Sequence, residues 1–234
     1  MSSEKFYETY LFLNKDKIIL SVVQNSYYKI IYEEKFLIDD KSNKIEIRNL
    51  QNFLNENIYK IEKKIKNFIE KIYIILETDE FFSINLSIKN NNNGKLITPS
   101  SLKYSLQEAK DQCHKSLGKN RIIHMLIDNY KINNVDYVSL PKNLKCEIFY
   151  LDLRFICISI NLLKNLEEIL KKFQISINQI LCANYIESLF ENDEIDVLAK
   201  TRRVLEGFNE NEVNFHKKTI KNVGFFEKFF NFFS

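Results

Sequence analysis

The chain is poor in the residues that build nucleotide loops and metal centres. Its 234 residues include four glycines, two prolines and no tryptophan. Loops that cradle phosphates depend on closely spaced glycines, because only glycine lets successive backbone N–H groups wrap an anion. The nearest two here are Gly207 and Gly224. A Walker A loop, a dinucleotide fingerprint and a kinase-type glycine loop are therefore excluded. The histidines (His114, His124, His216) and cysteines (Cys113, Cys146, Cys157, Cys182) are too dispersed for a zinc ribbon or an HExxH site. No cofactor or metal is expected. No stretch approaches the roughly 18–20 uncharged apolar residues of a membrane span. Four unpatterned cysteines without a signal peptide fit a reducing cytoplasm.

Lysine, asparagine, isoleucine, phenylalanine and tyrosine dominate, as an AT-rich genome would impose, so a single Lys or Asn is weak evidence. With 34 basic and 31 acidic residues the net charge is +3, too little for a general nucleic-acid binder. The N-terminal third reads as a three-strand meander at 7–13, 18–23 and 29–38. Over 45–69 the period changes: Leu50, Leu54, Ile58, Ile61, Ile65 and Ile69 recur every three or four residues, predicting an amphipathic helix. Residues 72–76 are an apolar run of strand length, expected to be buried on both faces.

A second block follows. Residues 82–88 alternate as a strand, and 90–94 form a turn into a short strand at 95–97. Thr98-Pro99 opens a helix running to Leu117, with Gly118 as its stop. Strands are predicted at 121–132 and 145–160, a helix at 161–173, a strand at 175–181 and a short helix through Phe190. This order suggests one α+β module in which two helices cover a small sheet. A further helix over 192–211 is expected to fade into a polar linker at 207–214.

The end of the chain differs in kind. Phe225, Phe226, Phe229, Phe230, Phe232 and Phe233 crowd one short stretch. On a helical wheel Val223, Phe226, Phe229, Phe230 and Phe233 share an arc flanked by Phe225 and Phe232. Lys217, Lys218 and Lys221 lie just upstream, and Lys228 is on the opposite side. A helix at a membrane interface needs a wide apolar face with flanking cations. Burying one Phe stabilises by about 1.5–3 kcal/mol, and a Lys near an anionic leaflet by about 1 kcal/mol. These residues are the candidate membrane-binding set. The alternative is a helix docked on the protein's own core. Elsewhere, Cys113-His114 reads as packing, Asp39-Asp40 and Glu33-Glu34 as solvated turns, and Tyr27 and Tyr28 lack the basic-aromatic motif of an RNA-binding strand.

The segment His124-Met125-Leu126-Ile127-Asp128-Asn129-Tyr130-Lys131-Ile132-Asn133 resembles the H-x-x-P-x-x-Y-x-x-D strand in the inserted subdomain of FtsA, the actin-like cell-division protein. Ile127 replaces the usual proline and Asn133 the usual aspartate. Ile97-Thr98 and the helix after it are similar to that subdomain's helix. Asn165-Leu166, Ile175, Ile177, Ile180 and Ala183 are similar to its second helix and returning strand. The amphipathic C-terminus completes the likeness, since the family attaches to the inner membrane through such a helix.

The resemblance implies an α/β (α+β) fold: a partial actin-like subdomain at 1–80, an SHS2-type inserted subdomain at 81–190, a helix and linker at 191–216, and an amphipathic membrane helix at 217–234. The family's phosphate loops are not matched. Asn14 stands near the Asp of its D-x-G-[ST] hairpin, and 191–197 reads ENDEIDV in place of D-I-G-x-G-T. The second half of the actin-like fold, which carries the FtsZ surface, has no counterpart, so FtsZ contact is not implied. The expected function is a non-enzymatic, peripheral adaptor of bacterial cell division on the cytoplasmic face of the inner membrane. Its expected partners are divisome proteins bound through 81–190, an anionic membrane surface and further copies of itself, with no nucleic acid. The alternatives are a pilus or secretion assembly adaptor and a residual actin-like ATPase.

Overall fold

A computed structural model describes residues 7–24, 28–38, 45–191 and 193–214. The meander forms as β1 (Tyr7–Leu13), β2 (Lys17–Gln24) and β3 (Lys29–Leu37), paired antiparallel. Helix α1 (Ile47–Ile65) follows. It stops short of the expected 69 because Lys66 adopts a left-handed φ of 54° and its N–H returns to the Glu62 carbonyl. Strand β4 (Lys71–Leu76) then pairs parallel with β1.

The chain next builds a second sheet from β5 (Phe82–Asn91), β6 (Asn120–Ile132), β7 (Val135–Tyr137) and β8 (Ile148–Ser159), in the order β5-β8-β6-β7. Helix α2 (Pro99–Ser116) lies between β5 and β6. Thr98 and Ser101 cap it reciprocally, and Gly118 turns the chain away at φ +56°. Its Leu102, Leu106, Ala109 and Cys113 pack on one face of this sheet against Phe149, Leu151, Leu153 and Phe155.

The two elements expected to complete that module do not join it. Helix α3 (Ile160–Lys172) and strand β9 (Ser176–Cys182) belong to the first sheet, whose order is β3-β2-β1-β4-β9. The physical reason is burial. Leu162, Leu163, Leu166, Ile169 and Leu170 of α3 share a core with Leu50, Phe53, Leu54, Ile58 and Ile61 of α1. Strand β9 runs parallel to β4, with Ile180, Leu181 and Cys182 buried. The small sheet thus has one helix on it, not two.

Helix α4 (Ala183–Ser188) and helix α5 (Val197–Leu205) cover part of the first sheet's other face. Helix α5 is shorter than the sequence suggested. Asp196 caps its start by accepting from the Ala199 N–H, and Gly207, at φ +87°, follows its end. The mixed α/β class holds. Among the described residues no helix is long and apolar enough to cross a membrane.

Candidate functional site

Three places carry the chemistry relevant to function. The first is the turn between β1 and β2, where the actin-like resemblance puts a phosphate loop. Asn14 is 7% exposed and organises this turn. Its Oδ1 accepts from the backbone N–H groups of Asp16 and Lys17 at 3.0 and 2.7 Å. Its Nδ2 donates to Glu77 Oε2 at 2.9 Å. The donors that would meet a phosphate are thus consumed within the turn. A pocket of about 190 Å³ beside it is lined by Asp16, Glu77 and Asp79 against one lysine, Lys15. The second phosphate position, 191–197, contributes Glu191, Asp193, Glu194 and Asp196 and no glycine. Carboxylates repel a triphosphate, and these residues do not fit ATP.

The second place is the join between the two sheets, where the H-x-x-x-x-x-Y part of the FtsA-like strand finds its use. His124 is buried, and its Nε2 accepts from the Cys182 N–H at the end of β9, 3.0 Å away. A backbone N–H can only donate, so Nε2 holds the lone pair and Nδ1 the proton. Nδ1 lies 2.7 Å from Glu212 Oε1. The other oxygen of Glu212 accepts from the Tyr185 hydroxyl at 2.9 Å, and Asn209 Nδ2 donates to that hydroxyl. The Tyr185 phenol is pushed up by burial and then by the Glu212 carboxylate. Six residues along β6, the Tyr130 hydroxyl donates to Asn211 Oδ1 at 3.2 Å.

These contacts pin a strap over 209–213. The Val213 N–H donates to the Met125 carbonyl at 2.8 Å and the Ile127 N–H to the Asn211 carbonyl at 3.0 Å, bridging Leu126 to Glu212 antiparallel. The segment expected as a free polar linker is therefore bridged to β6 at one position and tied by Glu212 to Tyr185 of α4. Sequence reading flagged His124 and Tyr130 but missed Glu212, Asn211, Asn209 and Tyr185. An acidic residue 88 positions from its histidine leaves no local trace.

The third place is an open groove of about 480 Å³ on the first sheet's α4–α5 face. Phe12, Ile19, Ile30 and Ile75 line it together with Lys17, Ser21, Glu33 and Lys35, and Val197 and Leu198 of α5 lie beside them. The Lys17 ammonium sits 5.3 Å from the Phe12 ring, while Lys35 pairs with Glu33 at the rim.

The candidate membrane residues Lys217, Lys218, Lys221, Val223, Phe225, Phe226, Lys228, Phe229, Phe230, Phe232 and Phe233 lie outside the described residues. So does the Asp39-Asp40 turn. Cys113 is buried on the sheet-facing side of α2, and burial pushes its thiol up. Burial, then neighbouring Cys113, pushes Cys157 up to about 12. Both are packing thiols rather than nucleophiles.

By sequence the chain matches no protein family and no curated protein. Solved structures with a similar course are very distant. The cytoplasmic domain of EpsL, an inner-membrane component of the type II secretion system of Vibrio cholerae, is 11% identical with a TM-score of 0.35, over 77% of this chain and 57% of that one. The PilM–PilN type IV pilus biogenesis complex gives 7% identity and a TM-score of 0.46, over 78% and 49%. A Bacteroides thetaiotaomicron protein with an actin-like ATPase fold and unknown function gives 13% and 0.36, over 82% and 58%. The chain spans about half the length of these proteins. At such identities and scores, none of them bears on activity.

Proposed function

We propose that the chain is a non-enzymatic adaptor held at a membrane surface, with a two-sheet body that binds protein and a phenylalanine-rich end that binds lipid. The observation that carries this reading is the crowding of six phenylalanines between 225 and 233, with lysines at 217, 218 and 221 before them. Partial insertion of four of these rings at about 1.5–3 kcal/mol each outweighs the ordering of a short helix. The strap at 209–213 supports the reading from the other side, because it fixes the point where this end leaves the body.

The finer proposal follows the FtsA resemblance: a component of the bacterial division septum, attached to the cytoplasmic face of the inner membrane, that contacts divisome proteins through the second sheet and α2. Carboxylates at both phosphate positions support the absence of ATPase chemistry. The full chain should bind anionic vesicles, and binding should weaken when Lys217, Lys218 and Lys221 are reversed to Glu. That loss should be largest at low salt, where the attraction is least screened. Equilibrium dialysis against ATP should show no binding in the micromolar range. Micromolar binding would restore the ATPase reading. Crosslinking of the vesicle-bound full chain in a cell extract names the partner, and a pilus or secretion component in place of a divisome protein would move the adaptor to that machinery.

A further inference from the structure

The edge of a sheet is a row of unpaired N–H and C=O groups, and proteins blunt it with charges, bulges, short strands or a cover. Three of the four sheet edges here are blunted. Strand β3 carries Lys29, Glu33, Glu34 and Lys35, and Ile31 bulges out of its register with β2. Strand β9 bulges at Asn178, and its last N–H, on Cys182, is taken by His124. At the β6 side of the second sheet, β7 is three residues long, and the strap over 209–213 exchanges backbone bonds with Met125 and Ile127 of β6.

The fourth edge, β5, has none of these devices. Its ten residues pair with β8 in unbroken register, without proline, and Lys89 is the one charged residue among them. Just past the strand, the Asn92 N–H donates to the Glu147 carbonyl at 2.7 Å. Backbone groups alternate sides along an antiparallel strand, so Ile84, Leu86 and Ile88 turn theirs to β8, and Ser83, Asn85, Ser87 and Lys89 turn theirs outward. Among the described residues nothing pairs with that outer side.

We propose that β5 pairs antiparallel with β5 of a second copy of this chain, joining the two small sheets into one. Two observations select a second copy as the occupant. The apolar row is a palindrome, Ile84-x-Leu86-x-Ile88, so a two-fold centred on Leu86 sets all three side chains against all three. Each packs against the core under α2 but is only partly buried, and the partner's row would cover the flank that α2 leaves open. Charge agrees with the same register, which places Lys89 opposite the partner's Ser83 and away from the partner's Lys89. The four outward residues of each strand would then make about eight backbone hydrogen bonds across the two-fold. Such a dimer carries two phenylalanine-rich ends, and two weak membrane contacts on one body bind far more tightly than one. That gain rests on the membrane reading, whereas the pairing does not.

The full chain should show a monomer–dimer equilibrium in sedimentation velocity. Ser83→Glu should tighten the dimer several-fold by meeting the partner's Lys89, and Ser83→Lys should loosen it by a similar factor. Ser83 is exposed, so neither change loads the core. Asn85→Pro removes an outward N–H without touching the β8 ladder and should leave a monomer that is folded by circular dichroism. Leu86→Cys should give a disulfide-linked dimer under mild oxidation, since paired positions on the two-fold lie about 4.5 Å apart at Cα and the four native thiols are buried. A chain that stays monomeric at every concentration overturns the pairing. So does an oligomer that ignores both Ser83 substitutions and is not crosslinked through Leu86→Cys. A monomer whose Leu86→Cys variant crosslinks in cells to another protein gives the edge to a foreign strand, which also overturns it.

Discussion

Each sheet has one face packed against helices and another that is wholly or partly open, and the two open faces differ in character. On the second sheet it is polar and carries several hydrogen bonds of its own. Ser87 donates to Asp152, Asn129 Nδ2 donates to Asp136 and Asp152, and Arg154 pairs with Asp128 at 2.9 Å. Such a face is stable in water with nothing on it. On the first sheet the open face is mixed: Phe12, Ile19, Ile30 and Ile75 line a groove beside α5 together with Lys17, Ser21, Glu33 and Lys35, and Ser21 and Lys35 both bond to Glu33. An antiparallel sheet that alternates apolar and polar residues can face water. The first face keeps apolar side chains open between its polar pairs, with Ile30 42% exposed, and the second does so less.

The comparison breaks most severely where the two sheets meet. His124→Ala would leave the Glu212 carboxylate buried without its main partner and the Cys182 N–H without an acceptor. A buried group left without its hydrogen bond costs about 1–3 kcal/mol, more where it is charged, and two groups are affected here. Urea unfolding should show that loss, and proteolysis should cut the strap first. On the first sheet's open face, Phe12→Ala should cost about 3 kcal/mol, because the ring is 6% exposed and packs under Lys17.

Alkaline pH tests the packed side of the second sheet. Cys157 is fully buried, and its thiol is raised from 9.0 to about 12 by burial and then by Cys113. Its neutral form is favoured in the folded state, so its contribution is intact below pH 9 and lost as pH rises toward 12. The limiting slope for one such group is about 1.4 kcal/mol per pH unit. Urea midpoints at about pH 8 and about pH 10 should therefore converge more in Cys157→Ala than in the native chain. The smallest effect belongs to the polar face: Asp128→Asn removes a pair in which both side chains are more than 40% exposed and should change stability by less than about 0.5 kcal/mol. A large effect there would mean that this face has a cover.

Much of the architecture was legible because it is written in local periodicity. The repeats at Leu50, Leu54, Ile58 and Ile61, and at Leu162, Leu166, Ile169 and Leu170, announce α1 and α3, and Thr98-Pro99 announces the start of α2. Which sheet α3 and β9 join was not legible. A strand's neighbour in a parallel sheet is chosen by burial across the whole chain, and β4 and β9 meet only after the second sheet has been inserted between them. The strap was hidden for a related reason. Residues 207–214 are polar and read as solvated linker, but Asn209, Asn211 and Glu212 are polar because they satisfy buried groups on Tyr185, Tyr130 and His124. Only the β6 end of that network, in the His124-to-Tyr130 spacing, left a mark in the sequence.

The most direct test of the central claim is cosedimentation of the full chain and its Phe229→Glu/Phe230→Glu variant with anionic vesicles. The double substitution removes two inserted rings, worth about 3–6 kcal/mol together, and sets two carboxylates against a negative surface. The account predicts that the native chain pellets with the vesicles and that the variant stays in the supernatant with its body folded by circular dichroism. A folded variant that pellets as well as the native chain would contradict it.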